Sequence, residues 1–445
     1  MSQPEPLYDV AIVGAGPAGA TAAATLAEAG KRVALLDKAT FPRDKRCGDA
    51  WCQPALEILA ELGVLPELEA QGAVQWVRSG GLVSPSGRSF VSPDEGAREG
   101  APPVAAIQRK VADEAIVRAA ERRGAELHEG AAVVSATLAG GEWTVRCKDK
   151  RRFRARMLVA ADGATSRLAR SLGVVTTPAN GVASRQYIKG GTHHFTSDGV
   201  LLYPDYVLPG YVAFFRHPND DIDLGCYALP GGRVPASGLK ELIRTKVAAD
   251  PFVREVLGDG AEPLERPGMA PLRLGGERRS YGERLLVVGD AAGHTDPLTG
   301  EGIHTAMVAA RHAARVVNTA FVTSDFSPGA LAAYQRAWMR SFGRDFPISA
   351  AAARAIDRFP ALLDTAVLAA QRHGVDFMDG FGAAMTGVAS KATFLAPKMA
   401  LPLAAALLRL GLGRGRRAYA EGPRGDARAP AYRHSFMRHA LAARA

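Results

Sequence analysis

Residues 9–38 read DVAIVGAGPAGATAAATLAEAGKRVALLDK, and the fold follows from them. Val10–Val13 is an uninterrupted apolar run, which predicts a buried strand. Gly14, Gly16 and Gly19 fill a GxGxxG turn. Ala18–Ala29 is rich in helix formers and Gly30 ends that helix. Arg32–Leu36 is a second apolar strand, closing on Asp37, 23 residues after Gly14. Strand, turn, helix, strand and acid in this order form a βαβ dinucleotide fingerprint. Gly14 permits the tight turn, Gly16 lets the backbone approach a pyrophosphate, and Gly19 lets helix and sheet pack closely. The helix N-terminus offers unpaired N–H groups and a positive dipole end to phosphate oxygens. Asp37 is placed to accept from ribose hydroxyls. The fingerprint alone does not separate NAD from FAD.

Outside this unit the chain alternates in character. FPRDKRCGDAW (41–51) reads as a loop too polar for a core. Gln53–Leu62 and Arg109–Arg123 have helical spacing, and each is closed by glycine. Glu126–Leu138, Trp143–Cys147 and Arg154–Ala160 read as strands. Between 176 and 270 Tyr, Phe and His become denser, and YVAFFR, a HPNDD turn and IDLGCYAL read as a hairpin. A buried strand LLVVGD returns after 284, followed by a long helix from about Glu301 to Thr319. Residues 328–410 are alanine-rich and helical. The expected organisation is therefore an α/β fold with a discontinuous Rossmann-like nucleotide domain (1–75, 105–175, 280–325). A β-rich substrate domain (76–104, 176–279) is inserted into it. A helical C-terminal region (326–412) and a basic tail (413–445) follow.

Two further strand ends carry chemistry. RMLVAADGATSR (156–167) ends a strand in a turn that projects Asp162 and allows close backbone approach at Gly163. LLVVGDAAGHTDPLTGEGIHT (285–305) ends a buried strand at Asp290, placed for ribityl or ribose hydroxyls. The Gly300–Gly302 backbone, at the next helix start, would present N–H groups to the edge of a flavin and favour negative charge there.

Composition sets bounds on these readings. The chain has 445 residues, 47% hydrophobic, with 48 glycines and only four cysteines, at 47, 52, 147 and 226. That spacing gives neither a disulfide framework nor a metal ligand set, and the polar MSQPEPLY start has no secretory pattern, so a cytoplasmic protein is expected. No stretch reaches the ~18 apolar residues that span a bilayer. The net charge of +10 is concentrated at the end: nine arginines follow Leu408, against Glu421 and Asp426. Nucleic acid, an anionic membrane surface and plain solvation are three readings of such a tail. MALPLAAALLRLGL (399–412) reads as a terminal helix that packs, or that lies on a membrane beside the tail.

GxGxxG at 14–19, the ADG turn at 161–163 and VGDAAG…DPLTGEGI at 288–303 together resemble the FAD-dependent oxidoreductases of the p-hydroxybenzoate hydroxylase type. FPRDKRCGD at 41–49, taken with the PLTGEGI loop, resembles the geranylgeranyl reductase family. The likeness covers residues 8 to about 320. It implies a glutathione reductase-type FAD domain. Gly14, Gly16 and Gly19 would hold the pyrophosphate, Asp37 the adenosine ribose, Arg109 and Asp290 the middle of the cofactor, and Gly300 and Gly302 the isoalloxazine. Ala18, Lys38, Arg46, Val133, Asp162, Gly163, Gly289, Pro297 and Ile303 complete the implied cofactor set. Cys47, Gly48 and Tyr211 are the implied catalytic set, with no metal. The family's YxWxFP element corresponds to YVAFFR (211–216), with Ala213 for Trp and Arg216 for Pro, while the WxWxIP element of flavin halogenases is absent.

Two enzyme readings and one non-enzyme reading follow. The first is saturation of isoprenoid C=C bonds on a hydrophobic or lipid substrate. The second is monooxygenation of an aromatic or polyketide-type compound. The third is a non-catalytic flavin-binding or membrane-docking protein, against which the intact DPLTGEGI loop argues. No second GxGxxG occurs, so electrons would come from transient NAD(P)H contact or from ferredoxin. Nucleic acid is not expected as a partner, and peripheral membrane contact through the tail is. His294 suits a proton relay or a turn cap equally. Cys47 suits site contact, and Trp51 suits pocket or core. His193 and His194 read as surface or sheet residues.

Overall fold

In the computed structural model, which describes residues 6–91, 104–190, 198–229 and 232–411, Leu7–Val13 is a strand at the centre of a parallel sheet. It pairs with Val33–Leu36 on one side and Arg152–Ala160 on the other. Glu126–His128 and Leu285–Val287 extend the sheet outward, also in parallel. Helices and loops cover both faces, which is why Val10, Ala11, Ile12, Leu35, Leu158 and Val159 are all buried without alternation. The helices Pro17–Glu28, Arg109–Arg122 and Ile303–Thr323 turn alanine-rich faces onto one side of the sheet. The stretch Glu126–Leu138 is two strands rather than one. It breaks at Gly130, whose φ of +65° is left-handed, and Val133–Ala139 turns back into an antiparallel hairpin with Glu142–Cys147. The long helix starts at Ile303, two residues later than the sequence suggests, because Asp296–Gly302 is taken up by a turn.

The second sheet is built by Gly181–Lys189, Asp221–Ala228, Tyr211–Arg216, Gly199–Leu202, Gly80–Val83 and Ser89–Val91, with Gly268–Leu272 also paired to Gly181–Lys189. It is antiparallel apart from the pairing of Gly80–Val83 with Gly199–Leu202. Side chains alternate between its faces. One face carries Val182, Ile188, Val212, Phe214, Ile222 and Leu224 into a core closed by Leu239, Ile243, Phe252 and Val253. The other carries three rungs: Tyr187–Asp223–Phe215, Arg185–Gly225–Ala213 and Ala183–Tyr227–Tyr211. This second face looks toward the first domain.

The C-terminal helices Pro328–Ser341, Phe346–Arg358, Ala361–Met385 and Pro397–Leu410 complete the described chain, the third of them broken at Gly374. Among the described residues no helix is long and apolar enough to cross a membrane. His193, His194 and the arginine-rich tail lie outside the described residues.

The tightest point is the glycine turn. Gly14 has φ +102°, and a Cβ there would overlap the Ala161 carbonyl; a Cβ on Gly19 would overlap the carbonyl oxygen of Gly14 itself. Neither neighbour is a flexible side chain, so the backbone would have to move. Gly19→Ala is expected to lower stability by about 3 kcal/mol or more, read as a shift of the urea midpoint at unchanged m-value, whereas Gly382→Ala, with nothing near its Cβ and no left-handed φ, is expected to cost far less.

Candidate functional site

The site begins where the glycine turn meets the helix Arg109–Arg122. A Cβ on Gly16 would meet nothing nearer than Arg43 Nη2 at 3.6 Å, so the helix start is open to a ligand. Beside it Arg109 is buried, and its Nε and Nη2 donate to Asp113 at 2.8 and 2.9 Å. Arg43 Nη1 reaches the same carboxylate at 3.0 Å. Burial pushes the Asp113 carboxyl up, but the two guanidinium groups outweigh it and hold it below the usual carboxylate range. Arg109 Nη1 is left buried without a hydrogen-bond partner. A buried cationic donor left over beside a phosphate-binding helix start fits a group bearing anionic oxygens.

The segment 41–51 is not the solvated loop its composition suggests. Trp51 is fully buried and donates to the Ile107 carbonyl at 3.0 Å, a packing role rather than a pocket one. Asp49 is fully buried as well. Its carboxylate accepts from the Arg109 N–H at 3.0 Å and the Tyr187 hydroxyl at 2.6 Å, and His217 Nε2 lies 3.0 Å away. Its own N–H donates to Asp223 Oδ2 at 2.9 Å. These contacts hold Cys47 and Gly48 on the cavity wall, while Lys45 Nζ sits 3.5 Å from Asp290 Oδ2.

The DPLTGEG loop forms the opposite wall. Asp296 Oδ1 accepts from the N–H groups of Leu298 and Thr299 at 2.8 and 3.0 Å, and its Oδ2 accepts from Ser349 Oγ at 2.7 Å. The Tyr211 hydroxyl donates to the Thr299 carbonyl and the Tyr227 hydroxyl to the Pro297 carbonyl, the latter at 3.0 Å. Burial, then the other tyrosines, pushes the Tyr211 phenol up; burial, then Asp296, does the same to Tyr227, so both remain donors. Cys52 donates to Glu301 Oε1 at 3.0 Å, and burial reinforced by Glu301 pushes its thiol up. It is a buried neutral thiol.

Between these walls lies a cavity of about 330 Å³. It brings together Gly16, Ala18, Cys47, Gly48, Arg109, Gly163, Tyr211, Gly289, Asp290, Gly300, Gly302 and Ile303 of the implied set. Apolar side chains dominate the remainder, among them Val77, Leu82, Val200, Leu201, Phe215, and Met378, Phe381 and Met385 from the C-terminal region. Other implied residues stand elsewhere. Asp37 accepts from the Ala15 and Ala39 N–H groups at 2.7 and 2.8 Å, and Ala131, two residues before Val133, donates to its carbonyl. Lys38 is exposed. Arg46 points away, its guanidinium taken by Asp44 and Glu265. Asp162 does not face the cavity either: it accepts from Ser166 Oγ and the Leu168 N–H at 2.9 and 3.0 Å, capping the turn it belongs to. Pro297 is buried and contributes its carbonyl to Tyr227. The Gly300 N–H is spent on the Asp296 carbonyl at 2.9 Å, so the N–H groups free by geometry are those opening the helix at Ile303.

His294 neither relays protons nor caps a turn through its ring. Both ring nitrogens are buried without partners, the ring packs 4.7 Å from Trp338, and burial pushes its pKa down to about 3, so it is neutral packing. The residues missed from the sequence are Lys45, Asp49, Glu301, Tyr227 and Asp223. Asp49's partners lie 60, 138 and 168 residues away, which no local pattern reveals. Asp223 does leave a trace: it is an acid flanked by Ile222 and Leu224 inside the strand DIDLGCYA.

The orphaned Arg109 Nη1, the open Gly16 and the Lys45–Asp290 pair fit FAD, with Asp290 offering an acceptor for its hydroxyls. Asp290→Ala is expected to lower FAD affinity by about 1.5–3 kcal/mol, roughly 10- to 150-fold, measured by fluorescence titration of the apoprotein. Unchanged affinity would remove Asp290 from the cofactor site.

Comparison with known proteins is consistent with this geometry. Residues 7–188 match the family described as FAD binding domain. Conditioned medium factor receptor 1 of Dictyostelium discoideum is 43% identical over 406 residues, 88% of this chain and 79% of that one. Digeranylgeranylglycerophospholipid reductase 2 of Methanopyrus kandleri is 31% identical over 356 residues, 76% of this chain and 84% of that one. Menaquinone reductase of Mycolicibacterium smegmatis is 33% identical over 344 residues, 75% of this chain and 82% of that one. Among solved structures, a geranylgeranyl bacteriochlorophyll reductase-like protein of Thermoplasma acidophilum superposes with a TM-score of 0.71 at 20% identity, covering 90% of this chain and 99% of that one, a likeness of fold. Glycine turn, CGD loop, DPLTGEG wall and these relatives agree: the chain belongs to the geranylgeranyl reductase family of FAD-dependent oxidoreductases.

Proposed function

We propose that the chain saturates C=C bonds of an isoprenoid or prenyl-lipid substrate. The observation that carries this reading is the cavity itself. Its walls are largely apolar, and it runs from the CG loop and the TGEG loop to Met378, Phe381 and Met385 of the C-terminal helices. Its apolar end, at Val200, Phe215, Phe381 and Met385, suits a hydrocarbon segment, while Gly16, Arg109 and Asp290 line the part that a cofactor would take. Ala213, where relatives of this type carry Trp, leaves room beside Phe215. The reductase names of two relatives support the same substrate class.

FAD, when bound, supplies the hydride. Gly16, Arg109 and Asp290 would hold it. Tyr211 and Tyr227, as un-ionised donors, pin the carbonyls of the DPLTGEG wall. Helical side chains over the cavity exclude water, which protects a reduced cofactor from side reactions. NAD(P)H or ferredoxin would deliver the electrons. With reduced protein and a geranylgeranyl substrate, product mass is expected to rise by two hydrogens per double bond. A gain of one oxygen with stoichiometric O₂ uptake would instead assign the chain to the monooxygenases, whose fold it shares.

A prenyl lipid must be taken from a bilayer. The helix Pro397–Leu410 exposes Leu401 and Leu408, 67% and 78% accessible, and the nine arginines follow from position 409. We infer a peripheral contact, apolar face inward and cations at anionic headgroups, each worth about 1 kcal/mol near the surface. The protein is expected to sediment with anionic vesicles at low salt and to be released as salt rises, and deletion of 413–445 should weaken binding while FAD stays bound. Failure to bind at low salt would refute the contact.

A further inference from the structure

The cavity has one strongly polar feature that cofactor binding does not use. Asp223 lies on the cavity face of the strand Asp221–Ala228, in register with Tyr187 and Phe215, and is 1% exposed. It lines the cavity beside Gly48, whose added Cβ would stand 3.9 Å from Oδ2. Oδ2 accepts the Asp49 N–H at 2.9 Å, and Oδ1 is buried with no hydrogen-bond partner among the described residues. An ionised carboxylate with one bare, buried oxygen is costly, whereas a carboxylic acid there is less so. Burial, and then the neighbouring Asp49 carboxylate, push the Asp223 carboxyl well above the usual carboxylate range, although Arg185 pulls the other way.

Asp49 shares its other oxygen with the Tyr187 hydroxyl and His217 Nε2. Arg185, over the Tyr187 ring, connects outward to the part-exposed Asp44 and Glu265. Asp49 from the CG loop, Arg185 and Tyr187 from Gly181–Lys189, His217 from the turn after Tyr211–Arg216, and Glu265 are thus the titratable and charged groups around Asp223.

Resting on the reductase reading above, we propose that Asp223 is the general acid of the reaction and donates the second hydrogen to the substrate alkene from the side of the CG loop. The π bond breaks. The Asp223 proton forms one new C–H bond, and the hydride from the reduced flavin forms the other. The product gains two hydrogens, the flavin ends oxidised, and Asp223 is left as a carboxylate. Asp223 regains a proton from solvent once product has left the cavity.

The test compares FAD-loaded wild type, Asp223→Asn and Asp223→Glu. Infrared pH-difference spectra of the protein without substrate should show a protonated carboxyl band at neutral pH that Asp223→Asn lacks and Asp223→Glu shifts. With a geranylgeranyl probe, anaerobic reoxidation of the reduced protein should slow by about 10²- to 10⁴-fold in Asp223→Asn and recover in part in Asp223→Glu. FAD content and the rate of flavin reduction should not change. In heavy water the wild type should place deuterium on the carbon that does not receive the hydride. A wild type that reduces the probe but lacks the band, or an Asp223→Asn protein reoxidised within about threefold of wild type, overturns Asp223 as the acid and leaves the reductase reading standing. A wild type that shows the band yet transfers no hydrogen to any prenyl probe overturns the reductase reading, and with it the acid's alkene substrate.

Discussion

A carboxylate that cannot reach water holds the two halves of this molecule in register. Asp49 belongs to the nucleotide-binding half, yet one oxygen accepts from the backbone at Arg109 and the other from Tyr187 of the substrate sheet, with His217 at the same atom. Burying a charge costs several kcal/mol unless donors replace the lost water. Three elements must therefore converge on one carboxylate before the site exists. Their convergence places Cys47, Gly48 and Asp223 together on the cavity wall. The same arrangement stacks Arg185 over Tyr187, 3.8 Å from guanidinium carbon to ring centre.

The opposite wall is held by a second buried carboxylate of similar logic. Asp296 caps its own turn with one oxygen and takes Ser349 with the other, while Lys391 Nζ lies 3.7 Å away. The C-terminal helices thus do more than cover the cavity, because they grip the loop expected to meet the cofactor. Tyr211 and Tyr227 grip it from the substrate sheet. A loop with its polar groups satisfied from two directions is rigid, and a rigid donor array suits a cofactor whose charge changes during turnover.

Much of the fold was legible because its signals are local. The glycine turn, the apolar strands on either side and the terminal carboxylates at Asp37 and Asp290 are spaced by the geometry of one βαβ unit and one strand–loop–helix unit. The hairpin 211–228 was legible for the same reason, since period-two alternation and a turn of polar residues are properties of neighbours in sequence. The glycines of the site were readable too, as positions where a side chain would occupy space needed by backbone or ligand.

The misreadings have a common cause. Arg46 and Asp162 lie within the right motifs, but a motif does not say whether Glu265 or Ser166 will take the side chain first. The segment 41–51 looks solvent-facing because its charges are counted without their partners, and those partners come from other elements. What the sequence by itself determined is the nucleotide-binding architecture, the family and the glycine positions that line the cavity, because each depends on contacts a few residues apart. Only the tertiary structure decided which charges are buried, which carboxyl group faces the cavity with one oxygen unpaired among the described residues, and how the C-terminal helices close it. Those outcomes depend on desolvation and on donors brought together from distant parts of the chain.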